Sequence, residues 1–406
     1  MSNNRRILVI GTYPISNPQH GGQKRAAALC QAYRKAGHQV RYSSVFFRGF
    51  YKDFTSSDFS VGGKTRDAVL QSPLTGDITC GKAIFHDDRI RAKVSSLLRS
   101  FDPDIIHIEQ PYSYLGLKPL LAELGLQPKL VFGSQNVEAP MKDDMLRSYG
   151  TSESIIAEVH QVIDDLEHDL AKNCDLLAAC TEADVRAHKA MGAKRCVLAK
   201  NGVQEPGTPS AKAKAYWRNW LDEKRVDTFA LFVGSAHPPN WNGFMDMVGQ
   251  SLGYLRPNER VIAAGSICDY MEREVVTDSG KLEDAVFWLR AESAGRLSED
   301  RLVALIDMAE VIILPITEGG GSNLKTAEAI IADKKVVATP HGLRSFEWFR
   351  DFPNVWLADT KQEFNNAIAE ALRAPKVART KRQAEEARQV LWESCLADLV
   401  EEVGEL

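Results

Sequence analysis

Short apolar runs alternate with helix-compatible runs along the whole 406-residue chain, and the alternation restarts near its middle. In the first half the apolar runs fall at 7–10, 40–45, 105–108, 130–132, 176–179 and 196–199. Helix-compatible stretches lie near 23–36, 88–99, 115–124, 154–172 and 182–191. This order argues for βαβ units on a parallel sheet. Asn201-Gly202 then marks a turn, and 204–213 is rich in Pro, Gly, Ser and Ala, as a linker would be. Beyond it, strand-like runs resume at 229–233, 261–264, 285–289, 311–314, 336–339 and 355–357. Helices fit 241–252, 299–308, 324–331, 362–372 and 380–403. The chain is long enough for two domains with full cores. The expectation is two similar α/β halves without evident sequence repetition, and a long closing helix.

Composition narrows the function classes. The net charge of -4 argues against a general nucleic-acid binder. Cys30, Cys80, Cys174, Cys180, Cys196, Cys268 and Cys395 form no CxxC pair and no Cys/His cluster with zinc spacing. Their odd number suggests buried free thiols in a reducing compartment. Arg5 and Arg6 precede an apolar run too short for a signal peptide, with Pro14 close behind. No apolar stretch reaches the ~20 residues that span a bilayer.

The loop 317–323, Thr-Glu-Gly-Gly-Gly-Ser-Asn, follows the apolar run 311–314 and leads into the run 324–331. A glycine-rich turn between a strand and a helix start offers free backbone N–H groups and the positive end of a helix dipole. A diphosphate suits that place. Gly319, Gly320, Gly321, Ser322, Asn323 and Leu324 would cradle it. Lys325 and Glu328 share a helix face one turn further in, and Glu328 is placed to accept hydrogen bonds from a ribose. A plain tight turn, with Ser322 or Asn323 as N-cap, accounts for the same residues more blandly.

Other loops open beyond strands in the same way. His20-Gly21-Gly22-Gln23-Lys24 precedes the first helix, and Gly21 and Gly22 permit close approach of a ligand while Lys24 adds charge. Gly234-Ser235-Ala236-His237-Pro238-Pro239-Asn240 opens a helix of the second half, with Gly234 and His237 at the sheet edge and Asn240 fitting an N-cap. Gln135 is placed to bond a sugar hydroxyl, and Asn136 is either cleft lining or the cap of a following helix. His107 and Glu109, at another strand end, line a cleft or sit satisfied in the core. The loop 45–54 interleaves Phe46, Phe47, Phe50 and Phe54 with Arg48 and Lys52. It reads as rings packing on the first domain rather than a bilayer contact. The seven tryptophans read as core or interface residues.

The order of these pieces resembles GT-B glycosyltransferases, most closely glycosyltransferase family 4. The matching segments are Ile7-Leu8-Val9-Ile10-Gly11 with Gly21-Gly22, Asp104-Ile105-Ile106-His107-Ile108-Glu109, Gln135-Asn136-Val137-Glu138, Cys174-Asp175-Leu176, Thr181-Glu182-Ala183-Asp184 and Asn201-Gly202-Val203. The second half adds Phe232-Val233-Gly234 and the run from Gly319 to Ala329.

The resemblance implies an α/β GT-B fold of two Rossmann-like, doubly wound domains facing a central cleft, with the C-terminal helix crossing back. The first domain would cover 1–203 plus about 380–406 and hold the acceptor; the second would cover 204–379 and hold a nucleotide sugar. Implied roles are Lys325, Gln135 and His107 in catalysis, the 319–324 loop with Glu328, Gly234, His237 and Asn240 at the donor, and Gly21, Gly22, Lys24, Glu109 and Asn136 at the acceptor. The reaction would be a retaining transfer to a glycan or lipid-linked hydroxyl in bacterial surface polysaccharide synthesis, without metal or cofactor. It would occur in the cytoplasm, with peripheral contact at the inner membrane face left open. A non-hydrolysing sugar-nucleotide epimerase or an inactive nucleotide-sugar binder would use the same fold. The chain departs from the family in three places: Gly320 replaces a second Glu, His237, Asn240 and Asn242 stand where an Arg and a Lys are common, and Gln135 stands where His is common. Lys325, with Lys200 and Arg344, is then left to meet phosphate charge.

Overall fold

The computed structural model describes residues 4–62, 75–275, 280–318 and 323–406. The chain divides into two compact units, Met1–Gly202 with Trp392–Leu406, and Val203–Leu391.

The first unit is built on a seven-stranded sheet. Its strands are β1 (Arg6–Gly11), β2 (Gln39–Phe47), β3 (Asp58–Val61), β4 (Ile105–Glu109), β5 (Lys129–Ser134), β6 (Leu176–Ala179) and β7 (Cys196–Leu198). They run parallel in the order β3-β2-β1-β4-β5-β6-β7. Alternate residues of one strand enter different cores, as a two-residue side-chain period requires. Leu8, Ile10, Ile106, Ile108 and Phe132 face one cluster, with Val94 and Leu98 of the helix Asp88–Phe101 and Ile163 and Leu170 of the helix Glu153–Asn173. Ile7, Val9, Ile105 and Val131 face the other, with Leu29 and Tyr33 of the helix Gly21–Lys35 and Leu396, Leu399 and Val403 of the C-terminal tail. Both faces are covered, which is why the strands read as continuous apolar runs.

The second unit has six parallel strands: β8 (Thr228–Val233), β9 (Glu259–Ala264), β10 (Ala291–Ser293), β11 (Val311–Leu314), β12 (Lys335–Ala338) and β13 (Val355–Leu357). Their order is β10-β9-β8-β11-β12-β13. In each sheet the strand order reverses once, between β1 and β4 and between β8 and β11. Open parallel sheets bind ligands beyond the carboxyl ends of the strands at such reversals.

Several local expectations are corrected. Residues 285–289 are not a strand; 285–288 belong to the helix Leu282–Trp288, which carries Glu283 and Asp284 in its first turn, and Leu289 is its C-cap. Leu289 is 61% exposed, so this run was never a buried strand. The closing helix is broken. Lys381–Ala387 continues as a 3-10 turn, Arg388–Val390, and Leu391 is extended, with ψ at 147°. Instead of continuing a helix, the Val390 carbonyl accepts from the Val203 N–H at 2.9 Å, and Val203 bridges Leu391. Trp392–Cys395 and Ala397–Gly404 then follow as separate helices.

The presumed linker 204–213 already contains a helix start. Ser210 caps the helix Ala211–Glu223, accepting from the Ala213 N–H at 3.1 Å, and is itself held by Asp300. Phe46 and Phe47 are buried within β2, whereas Phe50 is 62% and Phe54 38% exposed, so that loop packs only some of its rings. Trp217 is buried, and Trp220, Trp241, Trp288, Trp348, Trp356 and Trp392 pack against the cores. Cys30, Cys80, Cys174, Cys180 and Cys268 are buried, Cys196 and Cys395 half-buried, and all seven are free thiols.

Candidate functional site

In the second unit, chemistry gathers where β8 and β11 end. The helix Leu324–Ile331 has Asn323 at its N-cap position, but the Asn323 side chain caps nothing. It donates instead to the Gly342 carbonyl at 3.2 Å, and the Thr326 hydroxyl donates to the same oxygen. Among the described residues no side chain accepts from this first turn, and its N–H groups and dipole suit an anion. Gly319, Gly320, Gly321 and Ser322 lie outside the described residues.

Lys325 sits in that first turn, half-buried, with its Nζ 5.5 Å from the centre of the Phe232 ring. The Nζ donates to Asn240 Oδ1. Burial pushes the ammonium down to about 8, against the opposing pull of Glu328 one turn along. For an amine so displaced the pull of Glu328 does not offset burial, and a bound anion would favour the charged form. Asn240 is not the cap of its helix: the helix Pro238–Met247 has His237 at the N-cap position, with no side-chain bond. The Asn240 amide donates to the Ser235 carbonyl and hydroxyl, both at 3.0 Å, which leaves its oxygen turned to Lys325. Gly243 lets this helix sit on the end of β11, because a Cβ there would overlap the Pro315 carbonyl oxygen.

Of the remaining donor candidates, His237 is exposed, Gly234 is buried, and Leu324 packs against the core beside Ile330. Arg344 follows β12 and pairs with His341 Nε2 at 2.6 Å; burial lowers its pKa. Its segment is tied to the anion-suited helix through Gly342. Lys200 is exposed.

The first unit holds a buried ionic cluster where β1, β4 and β5 end. Glu109 and Arg25 are essentially inaccessible, at 0% and 1% exposure, and join through Arg25 Nε at 2.9 Å. Arg25 Nη1 also donates to the Ala199 carbonyl at 2.8 Å and to Asn201 Oδ1 at 3.2 Å. Burial opposes ionisation of Glu109, but Arg25 and His107 outweigh it and hold the carboxyl below its usual range. His107 is fully buried with both ring nitrogens engaged, Nε2 with Glu109 Oε2 at 3.0 Å and Nδ1 with the Tyr33 hydroxyl at 2.9 Å. It stands behind Glu109 and offers no free nitrogen to a substrate, which corrects its reading as a catalytic group. Glu109 likewise lines no open surface. Gly133 is required here, since a Cβ would overlap both Glu109 Oε2 and His107 Nε2.

Gln135, half-buried, donates through Nε2 to Glu109 Oε1 at 3.0 Å and to the Tyr13 hydroxyl at 2.6 Å. Gly22 adjoins both, because a Cβ on it would lie 2.6 Å from the Tyr13 hydroxyl and 3.0 Å from Gln135 Oε1. Gly21 and Lys24 are exposed on the same first turn. Asn136 is half-buried and does not cap the next helix. The helix Glu138–Ser148 has Val137 at its N-cap position, and Glu167 caps it from another helix, accepting from the N–H groups of Glu138 and Ala139 at 2.9 and 3.1 Å. Burial raises Glu167 to about 7. Tyr13, Tyr33 and Glu167 escaped the sequence reading, which took Arg25 with Lys24 as cationic charge near the first helix start and not as the buried partner of Glu109.

Among the described residues no group of three or more His, Cys, Asp and Glu could hold a metal ion, and no helix is long and apolar enough to cross a membrane.

No family model and no curated protein matches the sequence. Solved structures match in fold. Sucrose-phosphate synthase from Thermosynechococcus elongatus is 15% identical with a TM-score of 0.65, covering 98% of each chain. HepE from Anabaena in complex with UDP is 15% identical with a TM-score of 0.62, covering 98% of this chain and all of that one. WaaG, a glycosyltransferase involved in lipopolysaccharide biosynthesis, is 13% identical with a TM-score of 0.57, covering 98% of each chain. These neighbours are GT-B glycosyltransferases, and the chain has their α/β fold.

Proposed function

We propose that this protein is a glycosyltransferase that takes its sugar from a nucleoside diphosphate sugar. The observation that carries the reading is Lys325: a cation in the first turn of a helix that no described side chain caps, at a sheet reversal, tethered by Asn240 and depressed by burial. A diphosphate supplies what that place lacks. Glu328, on the same helix, suits the ribose hydroxyls. The structural neighbours crystallised with UDP and UDP-glucose support a uridine nucleotide as the first donor to try.

The acceptor is a hydroxyl of a glycan or lipid-linked sugar. In the proposed step the bond from the anomeric carbon to the diphosphate oxygen breaks and a bond to the acceptor oxygen forms. The acceptor proton passes to the leaving phosphate. A same-face route of this kind retains configuration and needs no protein nucleophile. The transition state is oxocarbenium-like, and its developing negative charge lies on the diphosphate. Helix N–H groups and Lys325, aimed at that charge before reaction, lower the barrier; losing one such donor typically costs roughly 100-fold in rate. Exposed Phe50 and Phe54, with Arg48 and Lys52, are available for a peripheral membrane contact if the acceptor is lipid-linked.

A thermal-shift panel of nucleoside diphosphates and nucleotide sugars tests the reading. A ligand at about 100 times its dissociation constant adds ~2.7 kcal/mol of stability. A panel in which no nucleotide raises the melting temperature would refute it. Product analysis with donor alone separates transfer from epimerisation, which consumes donor without an acceptor.

A further inference from the structure

Lys325 is held by neutral groups. Its Nζ donates to the Asn240 amide oxygen and stands 5.5 Å from the centre of the Phe232 ring. The Asn240 NH2 group is committed to the Ser235 carbonyl and hydroxyl, both at 3.0 Å, so this amide does not turn round and donate to the amine. A neutral lysine amine has two protons and one lone pair. With one proton on Asn240 Oδ1, the lone pair points away from the tether and Asn240 leaves it unused. Burial brings the amine down to about 8, so at pH 7.5 about a quarter of it is neutral; an ordinary lysine near 10.4 is neutral in about one copy per thousand. The place is also open. Lys325 and Asn240 are half-buried, and Ser235, Ala236 and His237 are exposed. A nucleophilic amine therefore stands in the first turn of a helix whose N–H groups suit an anion.

An acyl phosphate meets both features, with an anionic phosphate for the helix and an electrophilic carbonyl for the amine. We propose that Lys325 is a site of covalent acylation by acyl phosphates, and that this modification switches off donor binding. Nζ attacks the acyl carbon, and an N–C amide bond forms. The C–O bond to the phosphate breaks, and inorganic phosphate leaves with its electron pair and takes the proton that the amine sheds. Holding the phosphate at the helix start brings the acyl carbon beside the amine, which raises its local concentration. The product is an uncharged amide, so the cation that a diphosphate would meet is gone. The consequence for donor binding rests on the nucleotide-sugar reading; the acylation itself needs only the amine and the helix start.

The test treats the full chain with acetyl phosphate at pH 7.5 and follows each lysine by peptide mass spectrometry. Exposed Lys24, Lys52 and Lys212 serve as references. Lys325 should be acetylated at least about tenfold faster than any of them. Excess inorganic phosphate should slow Lys325 and leave the references unchanged. N-acetoxysuccinimide, an acyl donor without phosphate, should show a preference for Lys325 that is severalfold smaller. With that uncharged reagent, Asn240→Asp should slow Lys325 about tenfold, because a carboxylate in place of the amide favours the ammonium. Calorimetry with UDP, run before and after treatment, should show affinity falling about tenfold or more in wild type. In Lys325→Arg the charge cannot be removed this way, so treatment should leave whatever UDP affinity that variant has. Acetylation of Lys325 no faster than the references, or equally selective with both reagents, overturns the proposal. Unchanged UDP affinity after acetylation of Lys325 overturns the switch. UDP failing to bind untreated wild type would instead remove the nucleotide-sugar reading and leave the acylation result standing.

Discussion

Lys325 Nζ donates to Asn240 Oδ1, tying together the first turns of the two helices that follow β11 and β8. The residues are 85 positions apart in sequence. The tether aims the amine at the end of both strands without neutralising it, because an amide oxygen carries no charge. Lys325→Met should therefore weaken UDP binding by about tenfold or more, the scale of one charge-assisted hydrogen bond. Asn240→Ala should lose less, since the cation remains. Titration calorimetry reads both, and unchanged affinity in Lys325→Met would remove the diphosphate from this place.

Proton uptake should accompany that binding. Lys325 is depressed to about 8, so near this pH about half the amines are neutral. A bound anion favours the charged form and raises the pKa. Binding near pH 8 should draw in up to about half a proton, and affinity should fall as pH rises above about 8. Calorimetry in two buffers of different ionisation heat measures the uptake, and in Lys325→Met it should vanish.

Removing Arg25 should be costly. Glu109 is fully buried and Arg25 is its cationic partner. Arg25→Met leaves that carboxylate without its counter-ion, a change that typically costs about 3–5 kcal/mol. Arg25→Lys should recover only part, since an ammonium cannot reach Glu109, Ala199 and Asn201 from one planar fork. Denaturant unfolding checks both.

Gly133→Ala should destabilise the first unit by about 1–3 kcal/mol through overpacking against His107 and Glu109. A melting temperature equal to wild type would mean the His107–Glu109 pair is not held as described.

Glu167 links stability to pH. Its carboxyl is raised to about 7 by burial, whereas an unfolded glutamate titrates near 4.5. The folded state therefore holds this proton more tightly, and the stability it contributes is fully present below about 4.5 and lost as pH rises to about 7. The change is on the order of 3 kcal/mol at most. Glu167→Gln should flatten the slope of stability against pH over that window, followed by urea unfolding at several pH values.

Much of the fold was legible because parallel strands covered on both faces must be apolar throughout, so 7–10, 105–108 and 311–314 announce themselves. The misses share a cause. Residues 285–289 are apolar and short, and periodicity alone does not separate a strand from a helix turn at that length. The break at Leu391 depends on a bond from Val203, far away in sequence. Asn240 and Asn136 fit the cap rule locally, yet Asn240 is drawn to Ser235 and Lys325, and Glu167 takes the place Asn136 would have filled.

Sequence by itself settled that strands and helices alternate, that the sheets are parallel, and where glycine-rich loops meet helix starts. Those properties follow from side-chain period and backbone freedom, which act over a few residues. Only the folded chain decided that Arg25 would neutralise Glu109 across 84 positions, and that Lys325 would find an amide and not a carboxylate. Such pairings depend on strand order and on which loops end side by side, and no local pattern encodes either.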